Sequence, residues 1–501
     1  MREQRTAAGV LFYLSLLDDE LDDRVERFRE VLNNPAVAAV PAKTSTVELA
    51  ASQMELTDAS IFYRNSESTV IVRGGGCTVP LFWSSDASNL RVSTFLPLGV
   101  APRFLLSGFA AAFAAVCLHG SYEPNACTET PLRDWRRVRR GAVSYFEGGT
   151  FICDRPVAHS AGMEVRIPDE DTISERVHAA FQQYGHSQRH VKNSVLELSG
   201  GFDSTLAGAA AKSSQHLMRG VSVEFPYYEF RLEAPVQRAV GEALRILRTV
   251  LDGTRMFPYA PWERAPQFDE PSVFVTGIRH AECVSAFANS HNATKIYVGH
   301  GGDQLFSTDL TSSEIVIPEL PEKRAFSGPF WKFLQKAIAI VREPLWRMRS
   351  NGCFVYDARQ DVWVKETFGA ILRTPFSDTE IFHAAQLWSR WSASQGVRPD
   401  KTILSRALPS LLPDAVTRRK GKVAYDGIWM RGYAAHGDHI AQTFDRTATS
   451  LERIGISPSW LLRRVRQLAD WQPVSSREVL GAYAIAVWLI SWNLENITDI
   501  E

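Results

Sequence analysis

Two short segments combine the residue types that nucleotide chemistry requires. Ser199-Gly200-Gly201-Phe202-Asp203-Ser204 follows the apolar run Ser194 to Leu198 and opens a helix-forming stretch. Glycines there let the backbone fold tightly around an anion. The N-terminus of the following helix offers unpaired N–H groups and the positive end of its dipole. The hydroxyls of Ser199 and Ser204 add donors. Asp203 would repel a bare phosphate, so it makes sense only with a divalent cation between the two. No Gly-Lys-Ser/Thr follows, so this is not a Walker loop. A glycine turn with an aspartate cap is the simpler reading. The second segment runs from Tyr297 to Phe306 and contains Gly299-His300-Gly301-Gly302-Asp303. It repeats the arrangement of apolar strand, glycine turn and carboxylate. Two such loops can converge on one Mg2+ held by the polyphosphate of a nucleotide.

Convergence needs elements that deliver both loops to one edge. An amphipathic helix is expected from Ile173 to Tyr184, a strand from Ser194 to Leu198 and a helix from Ser204. A second strand is expected over Gly220 to Phe225, a helix over Glu233 to Val250, and a third strand over Lys295 to Val298. This alternation predicts a parallel α/β sheet, whose ligands gather at the carboxyl ends of strands near a topological switch point. The chain after Phe326 reads as mostly helical, with tryptophans that serve as core or as cavity wall. The first 165 residues read as β-rich instead. Short runs at Val10–Leu14, Ile61–Tyr63, Val70–Val72, Pro80–Trp83 and Ala142–Phe146 are separated by turn clusters such as Glu147-Gly148-Gly149. Helices are expected around Asp22–Asn33 and Phe104–Leu118. The boundary falls near 160–170, giving segments 1–165 and 166–501.

Composition bounds the rest. A chain of 501 residues predicts two to four domains of ~100–200 residues each. Hydrophobic residues at 45% and charged residues at 22% exclude a collagen, a rod and wholesale disorder. Lys plus Arg is 55 against 56 for Asp plus Glu, a net charge of −1, so there is no global electrostatic reason to bind nucleic acid or anionic membrane. Arg136, Arg137, Arg139 and Arg140 read as a solvated patch or a protein-docking face. The apolar stretch Phe104 to Leu118 is shorter than the ~20 residues of a membrane span. The run Ala7 to Leu17 ends in Asp18-Asp19-Glu20 without a small-residue cleavage site, so no secretory signal is read. Six scattered cysteines at positions 77, 117, 127, 153, 283 and 353 lack C-x-x-C spacing. A reducing, cytoplasmic setting is expected.

The two loops resemble the PP-loop, or pyrophosphatase-type ATP loop, and the downstream glycine–aspartate loop of the asparagine synthetase superfamily. Arg373-Thr374-Pro375-Phe376-Ser377-Asp378 is similar to the family's R-x-P-F-L-D. Lys401 to Arg406, Leu411-Leu412-Pro413 and Arg418-Arg419-Lys420 are similar to its K-x-x-L-R, L-P and R-x-K run, with one extra residue between Lys401 and Arg406. The order and spacing cover residues 190–430. The resemblance implies an N-terminal glutaminase-like (Ntn-type) β-sandwich domain over 1–165. Over 166–501 it implies a PP-loop ATP-binding parallel α/β synthetase domain with a helical C-terminal part. The glutaminase chemistry of the family needs an N-terminal cysteine; Arg2 stands at that position and the first cysteine is Cys77. A degenerate scaffold or substrate-docking role is therefore expected for that domain.

The resemblance also suggests a reaction. Gly-His-Gly-Gly-Asp, with His300, is similar to the lasso peptide macrolactam synthetases. Asparagine synthetases carry Glu in place of His300, and β-lactam synthetases carry Tyr. The implied activity is adenylation of an Asp or Glu side chain in a precursor peptide, followed by attack of the peptide's N-terminal amine and release of AMP. ATP and Mg2+ are implied, with Asp203 and Asp303 as metal ligands. Ser199, Gly200, Gly201, Asp203, Ser204, Gly299, Gly301, Gly302 and Lys401 would bind ATP or pyrophosphate. Lys420 would stabilise the adenylation and tetrahedral states; read without the R-x-K match, it belongs to a solvated basic cluster with Lys422. His300, with a reference pKa near ~6.5, either accepts the proton of the attacking ammonium or positions loop and substrate. Glu343, Asp357 and Asp361 lie where a helper carboxylate could arise. Asp378 reads as a helix cap, and Glu197 as a satisfied core carboxylate or a nucleotide contact. A companion leader peptidase and a leader-recognition protein are the implied partners. The rival readings are an amide-forming synthetase for small molecules and a non-catalytic scaffold for a precursor peptide.

Overall fold

A computed structural model gives the architecture. It describes residues 2–6, 9–15, 59–64, 68–73, 80–85, 89–94, 96, 102–119, 128–139, 141–156, 167–212, 217–227, 232–262, 266–307, 321–342, 358–418, 426–498 and 500–501. The expected helix around Asp22–Asn33 lies outside these residues. The described chain is mixed α/β, with 15 α-helices, one parallel sheet of five strands and two antiparallel sheets. Among the described residues no helix is long and apolar enough to cross a membrane.

The first antiparallel sheet joins β1 (Arg2–Thr6), β2 (Gly9–Ser15), β3 (Ala59–Arg64), β4 (Ser68–Arg73), β8 (Ala142–Glu147) and β9 (Thr150–Pro156) in that order. Gly148 and Gly149, at φ 52° and 85°, supply the two left-handed residues that a tight β8–β9 hairpin demands. The second sheet holds β5 (Phe82–Ser85), β6 (Leu90–Ser93) and β7 (Arg136–Arg137), in the order β6-β5-β7. Ile71 and Phe146 from one sheet pack with Trp83, Leu90 and Val92 from the other.

The parallel sheet holds β10 (Asn193–Glu197), β11 (Leu217–Glu224), β12 (Leu247–Asp252), β13 (Lys295–Tyr297) and β14 (Ile371–Arg373), in the order β12-β11-β10-β13-β14. Successive side chains point to opposite faces, and both faces are apolar. Leu196 and Tyr297 enter a core with the helices Glu170–Ser187 and Thr379–Ser394. Val195, Ile296 and Val298 enter another with Ile278–Ser290 and Ala358–Phe368. The order reverses direction at β10, which puts the switch point between β10 and β13.

Two expectations need correction. The helix expected over Glu233 to Val250 stops at Ala243, and Leu247–Asp252 is the edge strand β12. Arg245 takes φ 50°, which ends the helix, and the edge leaves Leu247 and Val250 exposed. Within the arginine run, Arg137 departs from the expected solvated patch or docking face. Arg137 is buried, and its guanidinium pairs with buried Glu270, with Nε 3.1 Å from Oε2.

That pair is one of several ties between distant parts of the chain. Leu96 N donates to Asp269 Oδ1 at 2.9 Å, and Trp488 Nε1 donates to the Asp269 carbonyl at 3.0 Å. The helix Leu106–His119 shares one core with Gly328–Arg342 and Arg477–Ser491. Phe109 meets Trp488 edge-on at 5.9 Å, and Phe113 meets Phe330. Cys117, Cys153 and Cys283 carry no disulfide.

Candidate functional site

The two glycine loops leave β10 and β13 at the carboxyl edge, on either side of the switch point. Leu198 N donates to the Val221 carbonyl and Val298 N to the Arg373 carbonyl, each at 2.8 Å, so the strands hold register up to the loops. Gly200 takes φ 76° and Gly301 φ 103°, values that favour glycine at both turns. The Ser199 and Ser204 hydroxyls are 2.9 Å apart, and Ser204 Oγ also donates to the Gly201 carbonyl at 3.1 Å. Thr205 Oγ1 donates to the same carbonyl at 2.8 Å. The loop is thus shaped by its own hydroxyls. Gln237 Nε2 backs it by donating to the Ser199 carbonyl at 3.3 Å.

The loops touch. A Cβ on Gly299 would lie 2.4 Å from Ser204 N, and one on Gly302 would lie 2.3 Å from Asp203 Cγ. Glycine at these two positions is what lets the Asp203 carboxylate reach the second loop. Thr374 Oγ1 donates to the His300 carbonyl at 2.6 Å and anchors that loop from the end of β14.

Lys401, at the entrance to the helix Thr402–Ala407, spans both aspartates. Its ammonium is 2.7 Å from each oxygen of Asp203 and 2.6 Å from Oδ1 of Asp303. Asp203 and Lys401 are largely shielded, whereas the Asp303 side chain is 58% exposed. Lys401 supplies the cation that two carboxylates held this close require. No group of three or more His, Cys, Asp or Glu that could hold a metal occurs among the described residues. The pair suits Mg2+, which takes one or two carboxylates and fills its shell with water and phosphate oxygens.

The first loop also opens onto a cavity of ≈ 350 Å³. Val223, Phe225, Met256 and Pro258 form apolar wall, with Ile428 and Trp429 from the helix Asp426–Arg446 opposite. Glu197, Glu233 and His280 bring charge to it. His280 Nε2 and Glu197 Oε1 are 2.7 Å apart. Burial would raise the Glu197 carboxyl; the charge and hydrogen bond of His280 and the charge of His300 outweigh it and hold the group at about 2. Burial would lower His280; the charge and hydrogen bond of Glu197 raise it instead. His300 keeps solvent contact, yet the protein around it displaces enough water to lower its pKa. The charge of Glu197 opposes that shift and the charge of His280 adds to it.

Most of the expected site therefore converges. Ser199, Gly200, Gly201, Asp203, Ser204, Gly299, His300, Gly301, Gly302, Asp303 and Lys401 lie on the two touching loops or bridge them. Lys420, Glu343 and Asp357 lie outside the described residues. Asp361 is buried on the helix Ala358–Phe368. Asp378 caps the helix Thr379–Ser394, accepting from Glu380 N at 2.9 Å and Ile381 N at 3.2 Å. His280 was not foreseen. A lone histidine after Gly277-Ile278-Arg279 has no spacing signal, and only its pairing with Glu197 gives it meaning. No protein-family model matches this chain, and no curated protein matches it.

Proposed function

We propose that this protein is an ATP- and Mg2+-dependent amide-forming ligase, a macrolactam synthetase that closes a precursor lasso peptide. The observation that carries the reading is the contact of two aspartate-bearing glycine loops at the switch point of a parallel sheet, bridged by Lys401. A binding module has no use for such a site, whereas carboxylate activation has. The PP-loop assignment rests on this contact and on the resemblance of the motifs. The assignment of residues 1–165 to a degenerate Ntn-type domain rests on the resemblance alone.

Chemically, a carboxylate oxygen of the peptide's Asp or Glu attacks the α-phosphorus of ATP. The α–β bridging bond breaks and pyrophosphate leaves with the electron pair. Asp203 and Asp303 would hold Mg2+, which would supply charge neutralisation for the departing pyrophosphate. Lys401 transfers its ammonium from the carboxylates to the pyrophosphate oxygens. The N-terminal ammonium gives up a proton to His300, whose pKa its surroundings lower. The freed nitrogen forms the C–N bond and loses its second proton to solvent, and the bond to AMP breaks. The peptide loses one water for each ATP converted to AMP and pyrophosphate. Lys420 takes the role that the R-x-K resemblance implies, stabilising charge in both steps.

Replacing Asp203 with Asn separates ligase from scaffold. Loss of the cyclic product with peptide binding retained is the expected result. Unchanged product formation would overturn the reading.

A further inference from the structure

The ammonium of Lys401 carries three N–H donors. Three carboxylate oxygens meet it, both of Asp203 at 2.7 Å and Oδ1 of Asp303 at 2.6 Å. The donor set is thereby used up. The ring of Phe202, its centroid 5.9 Å from Nζ, adds attraction for the same charge.

These are the oxygens that the ligase reading assigns to Mg2+. A divalent cation taking them meets the ammonium's charge at close range, so the two exclude each other. The ammonium can nevertheless be released. The backbone of Lys401 is fixed, its carbonyl accepting from Leu404 N at 3.1 Å and Ser405 N at 3.3 Å, but the charge rides on a flexible four-carbon stem. Its hold on Asp303 is weak, since that side chain is 58% exposed and an ion pair open to water contributes little. Asp203 holds it more firmly, because both of those side chains are shielded. Leaving Asp203 therefore requires another anion for the ammonium, and a polyphosphate supplies one.

We propose that Lys401 is a lock on the metal site. It excludes a divalent cation that comes alone and yields to one that comes with a polyphosphate. The lock rests on the ligase reading for the identity of both ligands, and it goes beyond that reading in making metal affinity conditional on the nucleotide. Metal and nucleotide then bind with positive coupling, and each raises the affinity for the other by the same factor.

The test is equilibrium dialysis of the full-length protein against Mn2+, with and without α,β-methylene-ATP, which lacks the bond that the reaction breaks. Retained metal and retained nucleotide are counted separately. The wild type is expected to bind Mn2+ alone weakly, and roughly tenfold more tightly with the nucleotide. Lys401→Met keeps a long stem and removes the charge. Its affinity for Mn2+ alone should rise roughly tenfold, and the enhancement by nucleotide should shrink. Lys401→Arg keeps the charge and should bind Mn2+ alone as weakly as the wild type. Adding Asp303→Asn to Lys401→Met should remove the gain, which places the metal on these carboxylates. A merely structural ion pair would lower the melting temperature of Lys401→Met without tightening metal binding. Equal affinity of the wild type and Lys401→Met for Mn2+ alone, or a gain that survives Asp303→Asn, would overturn the proposal. If Lys401→Met does not fold, Lys401→Gln is judged by the same comparison. A gain in Lys401→Met with no nucleotide retained by any protein keeps the exclusion of metal by Lys401 and removes the ligase reading. Nucleotide retained with metal by the wild type, but no gain in Lys401→Met, does the reverse.

Discussion

At the scale of residues, the candidate site depends on what is missing from two side chains. Gly299 and Gly302 admit Ser204 and Asp203 to distances that any Cβ would forbid. Gly302→Ala is therefore expected to push the loops apart, at an overpacking cost of about 1–3 kcal/mol. It should weaken nucleotide binding far more than Gly328→Ala, a position with open space around it. Thermal melts with and without Mg·ATP check this, and equal behaviour of the two variants would contradict it. The Glu197–His280 pair makes a second prediction, on pH. Glu197 falls from its ordinary 4.5 to about 2, so its contribution is present above 4.5 and is lost as pH drops toward 2. His280 is raised above its ordinary 6.5, so its contribution is complete below 6.5 and is lost as pH rises through the folded value. The coupling in a Glu197→Gln/His280→Gln double-mutant cycle should peak between those limits, on the order of 2 kcal/mol. It should shrink as pH falls from 4.5 toward 2, and again as pH rises from 6.5 through the raised value of His280. A coupling independent of pH would show that the pair is not ionic.

At the scale of elements, the strand order β12-β11-β10-β13-β14 explains why the loops meet. Only β10 and β13 are neighbours whose following connections depart to opposite sides of the switch point, so the gap between them is where a ligand fits. The ties between the first sheets and the rest are equally specific. Arg137 lies on β7, and its partner Glu270 precedes the short helical turn Val273–Thr276. Arg137→Ala leaves a buried carboxylate unpaired and should cost about 3–5 kcal/mol. Arg137→Met combined with Glu270→Leu should recover most of that loss. Urea denaturation of the two variants decides it. If the double variant is no more stable than the single one, the pair matters for packing and not for charge.

At the scale of the whole molecule, the sequence told more about the site than about how its elements join. The loops were legible because glycine, hydroxyl and carboxylate at fixed spacing after an apolar strand have few uses. Lys401 was legible only as a pyrophosphate contact, since nothing local says that it bridges Asp203 and Asp303. His280 and the cavity wall were not legible, because they come from separate segments around 223–237, 256–280 and 428–429 that only folding joins. The same reason hid the partner of Arg137, which lies 133 residues away. The helix that becomes β12 was misread because its apolar residues face an edge, where neither period is strong. Every part of the account meets in one reaction. Mass spectrometry would follow a leader-free peptide with an N-terminal glycine and an internal Asp or Glu, incubated with the protein and Mg·ATP, while AMP is measured in parallel. The account predicts loss of one water from the peptide for each AMP released. AMP release with an unchanged peptide and a consumed small acid, or formation of ADP in place of AMP, would contradict it.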